Sequence, residues 1–379
     1  MPLIQTVTAI PLSFRLPPEH QVSLGIGKTI KRDAVVVRVD TDNGYTGWGE
    51  AHAARAPSAI AELINTTLAS LVCGMDALDN LAVWERIYRM QLASHGMGAA
   101  AAIGLSGIDL ALWDIKGKVT GKSICSLLGS ASDVTPAYAG GITLGFQPAE
   151  ELAEEAAGYV ARGYRALKLR IGDGVENDKT RIQEVRARIG GDVEIMVDAN
   201  TTYSMEMVEA VAATLDDCDI RWLEEPFPAA EYRSYQDAAS VLNTPLAAGE
   251  NHYTRFDFMR MLDDGAVRVW QPDLSKTGGM TEALRIAALA DEHGIEIHPH
   301  TSVTALNMSA TLHYLSAIPN PGYFEADLTP FNPLRDQWAP PDSIAADAAH
   351  CPPPGTGWGI TLDSTSLDPF QGISGPGYV

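Results

Sequence analysis

Three acidic residues recur at equal intervals in the middle of the chain. Asp198 closes the run Ile195-Met196-Val197-Asp198, Glu224 closes Trp222-Leu223-Glu224, and Glu250 follows Ala247-Ala248-Gly249, so that 26 residues separate each from the next. Taken singly, an acid at the end of an apolar run reads as a helix N-cap or a surface ion pair. Three at one period converge, and converging carboxylates in a low-dielectric pocket repel unless a cation neutralises them. Oxygen donors with room for water and substrate suit Mg²⁺ best, with Mn²⁺ also suited. Upstream, Leu167-Lys168-Leu169-Arg170 puts Lys168 and Arg170 on one face of a strand. They read as positive charge for an anionic substrate, or as a pair of structural salt bridges. Downstream lie Gln271-Pro272-Asp273 and Ile297-His298-Pro299-His300. An Asp that accepts a histidine Nδ1–H fixes the tautomer and raises the basicity of the ring, which makes a general base. Alternation puts His298 and His300 on the same face, so spacing does not choose between them. Glu325, in Tyr323-Phe324-Glu325, adds a further carboxylate.

These residues need a scaffold that gathers strand ends. Short apolar runs begin near Thr135, Ala166, Glu194, Arg221, Leu246, Val267, Glu296 and Tyr323, each followed by an amphipathic stretch. Eight such units are the count of a TIM barrel, in which the C-terminal ends of the strands face the active site. The eighth helix is not evident after Asp327, and no recurring signature supports a solenoid. Before the barrel, Ile4 to Pro11, Ala34 to Val39 and Tyr45 to Glu50 alternate like an antiparallel meander, and Ala59 to Leu128 turns to helical spacing. The expected division is an α+β capping domain over 1–130, the barrel over 131–335, and a segment over 336–379 that returns to the cap. That last segment is rich in Pro and Gly from Pro340 and contains Gly357-Trp358-Gly359. Pro17 to Lys31 reads as a mobile loop.

Composition narrows the partners. The net charge of −21 repels a phosphate backbone and an anionic membrane, so neither nucleic acid nor membrane is expected as a partner. With 46% hydrophobic and 20% charged residues the chain is an ordinary globular one. Four scattered cysteines without a CxxC pair point to a reducing compartment. The first residues lack a leader pattern, and the most apolar stretch, Met97 to Ile108, is too short for a bilayer, so a cytoplasmic protein is expected. Gly278-Gly279 before a helix hints weakly at a phosphate site.

In their order along the chain, Lys168-x-Arg170, Asp198, Glu224, Glu250, Asp273 with His300, and Glu325 resemble the enolase superfamily, specifically its mandelate racemase subgroup. Gly47-Trp48-Gly49-Glu50 and Gly357-Trp358-Gly359 extend the resemblance over essentially the whole chain. It implies an α/β fold, a modified TIM (β/α)7β barrel under an α+β N-terminal capping domain completed by the C-terminal segment. It also implies Mg²⁺ on Asp198, Glu224 and Glu250, holding a substrate carboxylate and stabilising the enediolate formed when a base takes the α-proton. The 27 residues from Asp273 to His300 match the subgroup and select His300 over His298. Relatives that work both faces of the substrate usually carry Lys-x-Lys, whereas the Arg170 guanidinium stays protonated, with a pKa above about 12. This argues against a two-base racemase and favours dehydration of an acid sugar to a 2-keto-3-deoxy acid, His300 returning the proton to the departing hydroxyl. Lys168 as a second base keeps racemisation, epimerisation and lactone cycloisomerisation open. Substrate contacts are expected from His20 and Lys28 in one loop of the cap, His52 and Arg55 in another, and Asn200 at the barrel mouth. Relatives are often octamers or dimers, so a homo-oligomer is expected. A non-catalytic binding protein on the same fold is the reading from another class, and the complete acid triad with its His–Asp pair argues against it.

Overall fold

The computed structural model describes residues 1–130, 134–339 and 349–379. Its first layer is an antiparallel sheet in the order β1 (Ile4–Arg15), β4 (Lys31–Thr41), β5 (Thr46–Ala51). The segment between β1 and β4 carries the two-residue strands β2 (Ser23–Leu24) and β3 (Gly27–Lys28), which pair as a hairpin. Alternation along β4 serves two cores. Val35, Val37 and Val39 pack on helices of the same unit, among them Ile64, Leu68, Ile108 and Leu112, while Ala34 and Val36 join the core continuous with the barrel. The helix Ala99–Thr120 lies directly on β5. Gly49 permits this approach, since a Cβ there would stand 2.3 Å from the Gly107 carbonyl oxygen.

The barrel staves are β6 (Thr135–Gly140), β7 (Ala166–Arg170), β8 (Glu194–Asp198), β9 (Ile220–Glu224), β10 (Leu246–Ala248), β11 (Val267–Trp270) and β12 (Phe324–Asp327). They form a parallel curved sheet in the order β11-β10-β9-β8-β7-β6-β12, with β13 (Ala349–His350) antiparallel on β6. Inside, Tyr138, Ala166, Met196, Trp222 and Ala247 fill one apolar layer. Two residues further along the same strands, and so on the same face, stand Lys168, Asp198 and Glu224. A period of two thus places the charged residues directly above a dry plug.

Three expectations meet a different outcome, and a fourth agrees. The run from Glu296 forms only isolated parallel bridges, Ile297 to Trp270 and to Pro321, because Pro299 has no N–H and restricts the residue before it. The eighth helix, not evident in the sequence after Asp327, is reduced to the single turn Pro333–Asp336, in agreement with the (β/α)7β count. Pro17 to Lys31 is built rather than loose: a 3₁₀ turn at Pro18–His20 precedes the β2–β3 hairpin, and Ile30 N–H donates to Gly377 O (2.9 Å). At Gly278-Gly279, Asp109 accepts from Thr281 N–H (2.9 Å) and Ser106 Oγ from Gly278 N–H (2.8 Å), so the protein's own side chains use the donors a phosphate would need.

The segment after the barrel returns to the cap as expected. Asp114 binds both Gly-Trp-Gly motifs, accepting from Trp48 N–H (3.0 Å) and Trp358 N–H (3.2 Å), while the Trp358 indole donates to Trp48 O (3.1 Å). The expected boundary at 131 and the Pro340-Pro341 start of that segment lie outside the described residues. All four cysteines are free thiols. No helix among the described residues is long and apolar enough to cross a membrane.

Candidate active site

Lys168 and Arg170 rise side by side from the end of β7. Lys168 Nζ is fully enclosed, 2.8 Å from Glu224 and 2.9 Å from Glu325. Burial would strip its proton, but the two carboxylates outweigh burial and hold the ammonium well above its ordinary pKa. Arg170 forks between Asp198 and Gly141 O, the latter at 2.6 Å. Glu224 uses its other oxygen for Gln271 (2.7 Å) and the Trp222 indole (3.2 Å). Asp198 also accepts from the Asn200 backbone N–H (2.8 Å) and side-chain amide (3.1 Å). Burial, with the neighbouring Glu224 charge, pushes Asp198 up to about 7 despite Arg170.

The two histidines occupy successive layers, as their alternation requires. His298 points into the apolar plug, its ring 4.9 Å from that of Trp222, with Tyr323 N–H donating to Nδ1 at 2.9 Å. His300 stands at the mouth, Nδ1 2.7 Å from Asp273 and Nε2 2.7 Å from Glu250. Burial lowers the imidazole, but Glu250 and Asp273 together raise it to about 10. Asp273 is fully buried, yet donors hold it well below the usual carboxylate range. These are His300 Nδ1, Ser275 N–H (2.7 Å), the Ser275 and Ser302 hydroxyls (2.7 and 2.8 Å) and the Asn307 amide (3.1 Å).

Charge at this mouth does not balance. Asp198, Glu224, Glu225, Glu250, Asp273 and Glu325 face the permanent cations Lys168, Arg170 and Lys276, with His300 as the one titratable addition. The triad is brought to one mouth, but each member is turned to a cation: Asp198 to Arg170, Glu224 to Lys168, Glu250 to His300. As placed, no three His, Cys, Asp or Glu side chains among the described residues stand close enough together to hold a metal ion. Two buried oxygens nevertheless have no partner, Glu225 Oε1 and Asn200 Oδ1. Burial and the charges of Glu250 and Asp198 push the Glu225 carboxyl well above its ordinary pKa. Carboxyl groups in excess of cations, oxygen donors and orphaned oxygens together fit a hard divalent cation, which would take the place of the protons that burial puts on Asp198 and Glu225.

Above these groups lies a cavity of about 510 Å³. Arg170, Asn200, Glu250, His300 and Glu325 line it from the barrel, and His52 and Arg55 from the loop after β5. The His52 imidazole, lowered to about 3 by burial and by Lys276, is neutral, and its Nδ1 accepts from Ala54 N–H (3.0 Å). The other two expected contacts are elsewhere. His20 stacks on Phe331 with centroids 6.2 Å apart, and Lys28 is exposed on β3; neither lines the cavity. Sequence reasoning missed Lys276, Glu225 and Tyr378, all lining it, and Glu50 beneath. Lys276 carried a signal, three residues past Asp273 in the turn after a strand, and Glu225 adjoins Glu224. Glu50, raised to about 7 by burial, caps the helix Ala305–Leu315, accepting from the Thr304 hydroxyl at 2.6 Å and from Thr304 N–H at 3.2 Å. Nothing local marked Tyr378.

Residues 151–366 match the model of the enolase C-terminal domain-like family, and residues 7–129 that of the mandelate racemase/muconate lactonizing enzyme N-terminal domain. The chain belongs to the mandelate racemase/muconate lactonizing enzyme family. Among its relatives, D-galactarolactone cycloisomerase of Agrobacterium fabrum is 33% identical over 352 residues, covering 90% of this chain and 92% of that protein. Arabinonate dehydratase of Saccharolobus solfataricus is also 33% identical, over 342 residues, 89% of this chain and 91% of that one. The crystal structure of an enolase superfamily member from Polaromonas sp. JS666 superposes with a TM-score of 0.95 at 50% identity, covering both chains fully. The barrel and its cap are therefore those of this family.

Proposed function

We propose that the protein is a divalent-cation-dependent dehydratase of sugar acids in which His300 removes the proton next to the substrate carboxylate. One observation carries this reading: a single base among locked cations. Of Lys168, Arg170 and His300, His300 is the one placed to exchange a proton: Lys168 is held charged by Glu224 and Glu325, and Arg170 by Asp198. Asp198, Glu224 and Glu250 would hold the cation, with the free oxygen of Glu225 beside them. A solved structure similar to this chain, a racemase from Streptomyces coelicolor A3(2), holds bound magnesium, an ion that suits these hard donors. When bound, such an ion supplies Lewis-acid charge that acidifies the carbon next to the carboxylate.

The rest falls to the protein's own groups. Asp273 keeps the proton on Nδ1, so that Nε2, once Glu250 is drawn away, is the basic atom facing the cavity. Nε2 takes the α-proton, and the C–H electron pair becomes the new double bond as the β-hydroxyl leaves. The imidazolium returns its proton to that hydroxyl, releasing water, and the enol relaxes to a 2-keto-3-deoxy acid. The sugar-acid class is supported by arabinonate dehydratase among the relatives. The cycloisomerase relative favours a second reading, in which the same proton abstraction is followed by loss of a lactone ring oxygen in place of water.

The test is to incubate the protein with Mg²⁺ and a panel of sugar acids in D₂O, with a parallel arm in EDTA. Formation of a 2-keto-3-deoxy acid that EDTA abolishes is expected. Deuterium at the α-carbon with inversion and no loss of water would overturn dehydration.

A further inference from the structure

Resting on the sugar-acid reading above, we infer that Arg55, backed by Tyr378, receives a second carboxylate, so that the substrate is an aldarate, a sugar acid charged at both ends. The starting observation is an inventory of the cations that line the cavity. Lys31 is paired with Asp33 (2.9 Å), Arg32 with Asp327 (2.9 Å), Arg170 with Asp198, and Lys276 with Glu250 (3.7 Å). Among the described residues of the lining, Arg55 alone carries a permanent charge without a carboxylate partner. Its guanidinium lies over the Tyr378 ring, 5.2 Å from the centroid. Among the described residues no hydrogen bond or ion pair engages its N–H donors, which leaves them open for a bidentate acceptor.

The backbone is built to present this side chain. Ala54 and Arg55 both have positive φ, 48° and 59°, a conformation that non-glycine residues adopt at a cost. Ala54 N–H donates to His52 Nδ1 and His52 N–H to Ser275 O (3.1 Å), which fasten the strained turn to the barrel. Tyr378 is placed from the far end of the sequence. Lys28 N–H donates to Val379 O (2.8 Å) and Val379 N–H to Lys28 O (3.0 Å), so the segment runs alongside the β2–β3 hairpin. The strand ends of the barrel hold one end of the substrate next to His300. Arg55 comes from the cap, so it meets a different end. On a protein of net charge −21, a dianion has little to hold it without such an unspent cation.

The experiment compares glucarate and galactarate with gluconate and galactonate, using the Mg²⁺-loaded wild-type protein, Arg55→Met, Arg55→Lys and Tyr378→Leu. Wild type is expected to favour the aldarates. Arg55→Met should lower kcat/KM for them by about 10- to 100-fold, the range for loss of a charged hydrogen-bonded partner, with a clearly smaller loss on the aldonates. Arg55→Lys should fall in between, and Tyr378→Leu should erode the aldarate preference without removing it. An equal loss on both classes in Arg55→Met, or a wild-type preference for aldonates, would overturn this inference and leave the dehydratase reading standing. Absence of turnover on every sugar acid would overturn that reading, and this one with it.

Discussion

Replacing Asp273 by Asn tests the base at the atom that matters. One oxygen of Asp273 accepts from Ser275 N–H, the Ser275 hydroxyl and the Asn307 amide, and the other from the Ser302 hydroxyl and His300 Nδ1. An asparagine must keep its carbonyl oxygen on the side of Ser275 and Asn307, since the Ser275 N–H cannot reverse and the Asn307 amide is fixed by its own oxygen, which accepts from Ser302 N–H (2.9 Å). Its amide nitrogen then faces His300 Nδ1 and donates to it. The ring is forced into the tautomer with its proton on Nε2, the atom that should accept the substrate proton. Loss of a positioned general base costs typically 10²–10⁴ in rate, so kcat should fall by roughly that factor. Folding should suffer only modestly, by about 1–3 kcal/mol for the disturbed hydrogen bonds. The assay is α-proton exchange in D₂O followed by NMR beside steady-state turnover, with calorimetry for Mg²⁺ binding and circular dichroism for the fold. Exchange and turnover should drop together while Mg²⁺ affinity is retained. Wild-type exchange in a folded variant would refute the assignment of His300.

Two further outcomes follow from buried charge. Lys168→Met leaves Glu224 and Glu325 without their shared cation, and the metal-free variant should lose about 3–5 kcal/mol of stability in urea unfolding; an unchanged midpoint would show that the pairing is energetically idle. Burial raises the Asp109 carboxyl to about 6, against the hydrogen bonds from Thr281 and Asn80 and the nearby charge of Lys116. Because the folded state holds this proton more tightly than the unfolded chain, the stabilisation is fully present below about pH 4 and is lost as pH rises through about 6, for roughly 3 kcal/mol in all. Asp109→Asn does not titrate, so its stability should change less steeply than wild type between pH 4 and 6, and equal slopes would refute the shift.

Much of the site is legible in the amino-acid sequence. The 26-residue repeat brings Asp198, Glu224 and Glu250 to one mouth because one strand–helix unit advances the chain by one stave. Alternation puts Lys168 and Arg170 on the inner face for the same local reason. The two Gly-Trp-Gly motifs meet at Asp114, as a returning segment requires. His20 and Lys28 show where this kind of reading stops. They are polar and in the expected loop, but which way a loop side chain points depends on what the loop packs against, here Phe331 and the segment ending in Val379.

The strand-helix rhythm, the order of the charged residues along it and the layer each occupies are written in the order of residues alone, since these depend on periods of two residues and one βα unit. Which carboxylate meets which cation is fixed by packing in three dimensions, as is the facing of His300 to Asp273 and Glu250 while His298 fills the plug. Packing also decides that Glu225, at a φ of 35°, turns toward the mouth beside Glu224. The meeting of Arg55 with Tyr378 belongs to the same group. Such pairings join residues far apart in the chain, and they are selected by the packing of whole layers, on which no local spacing bears.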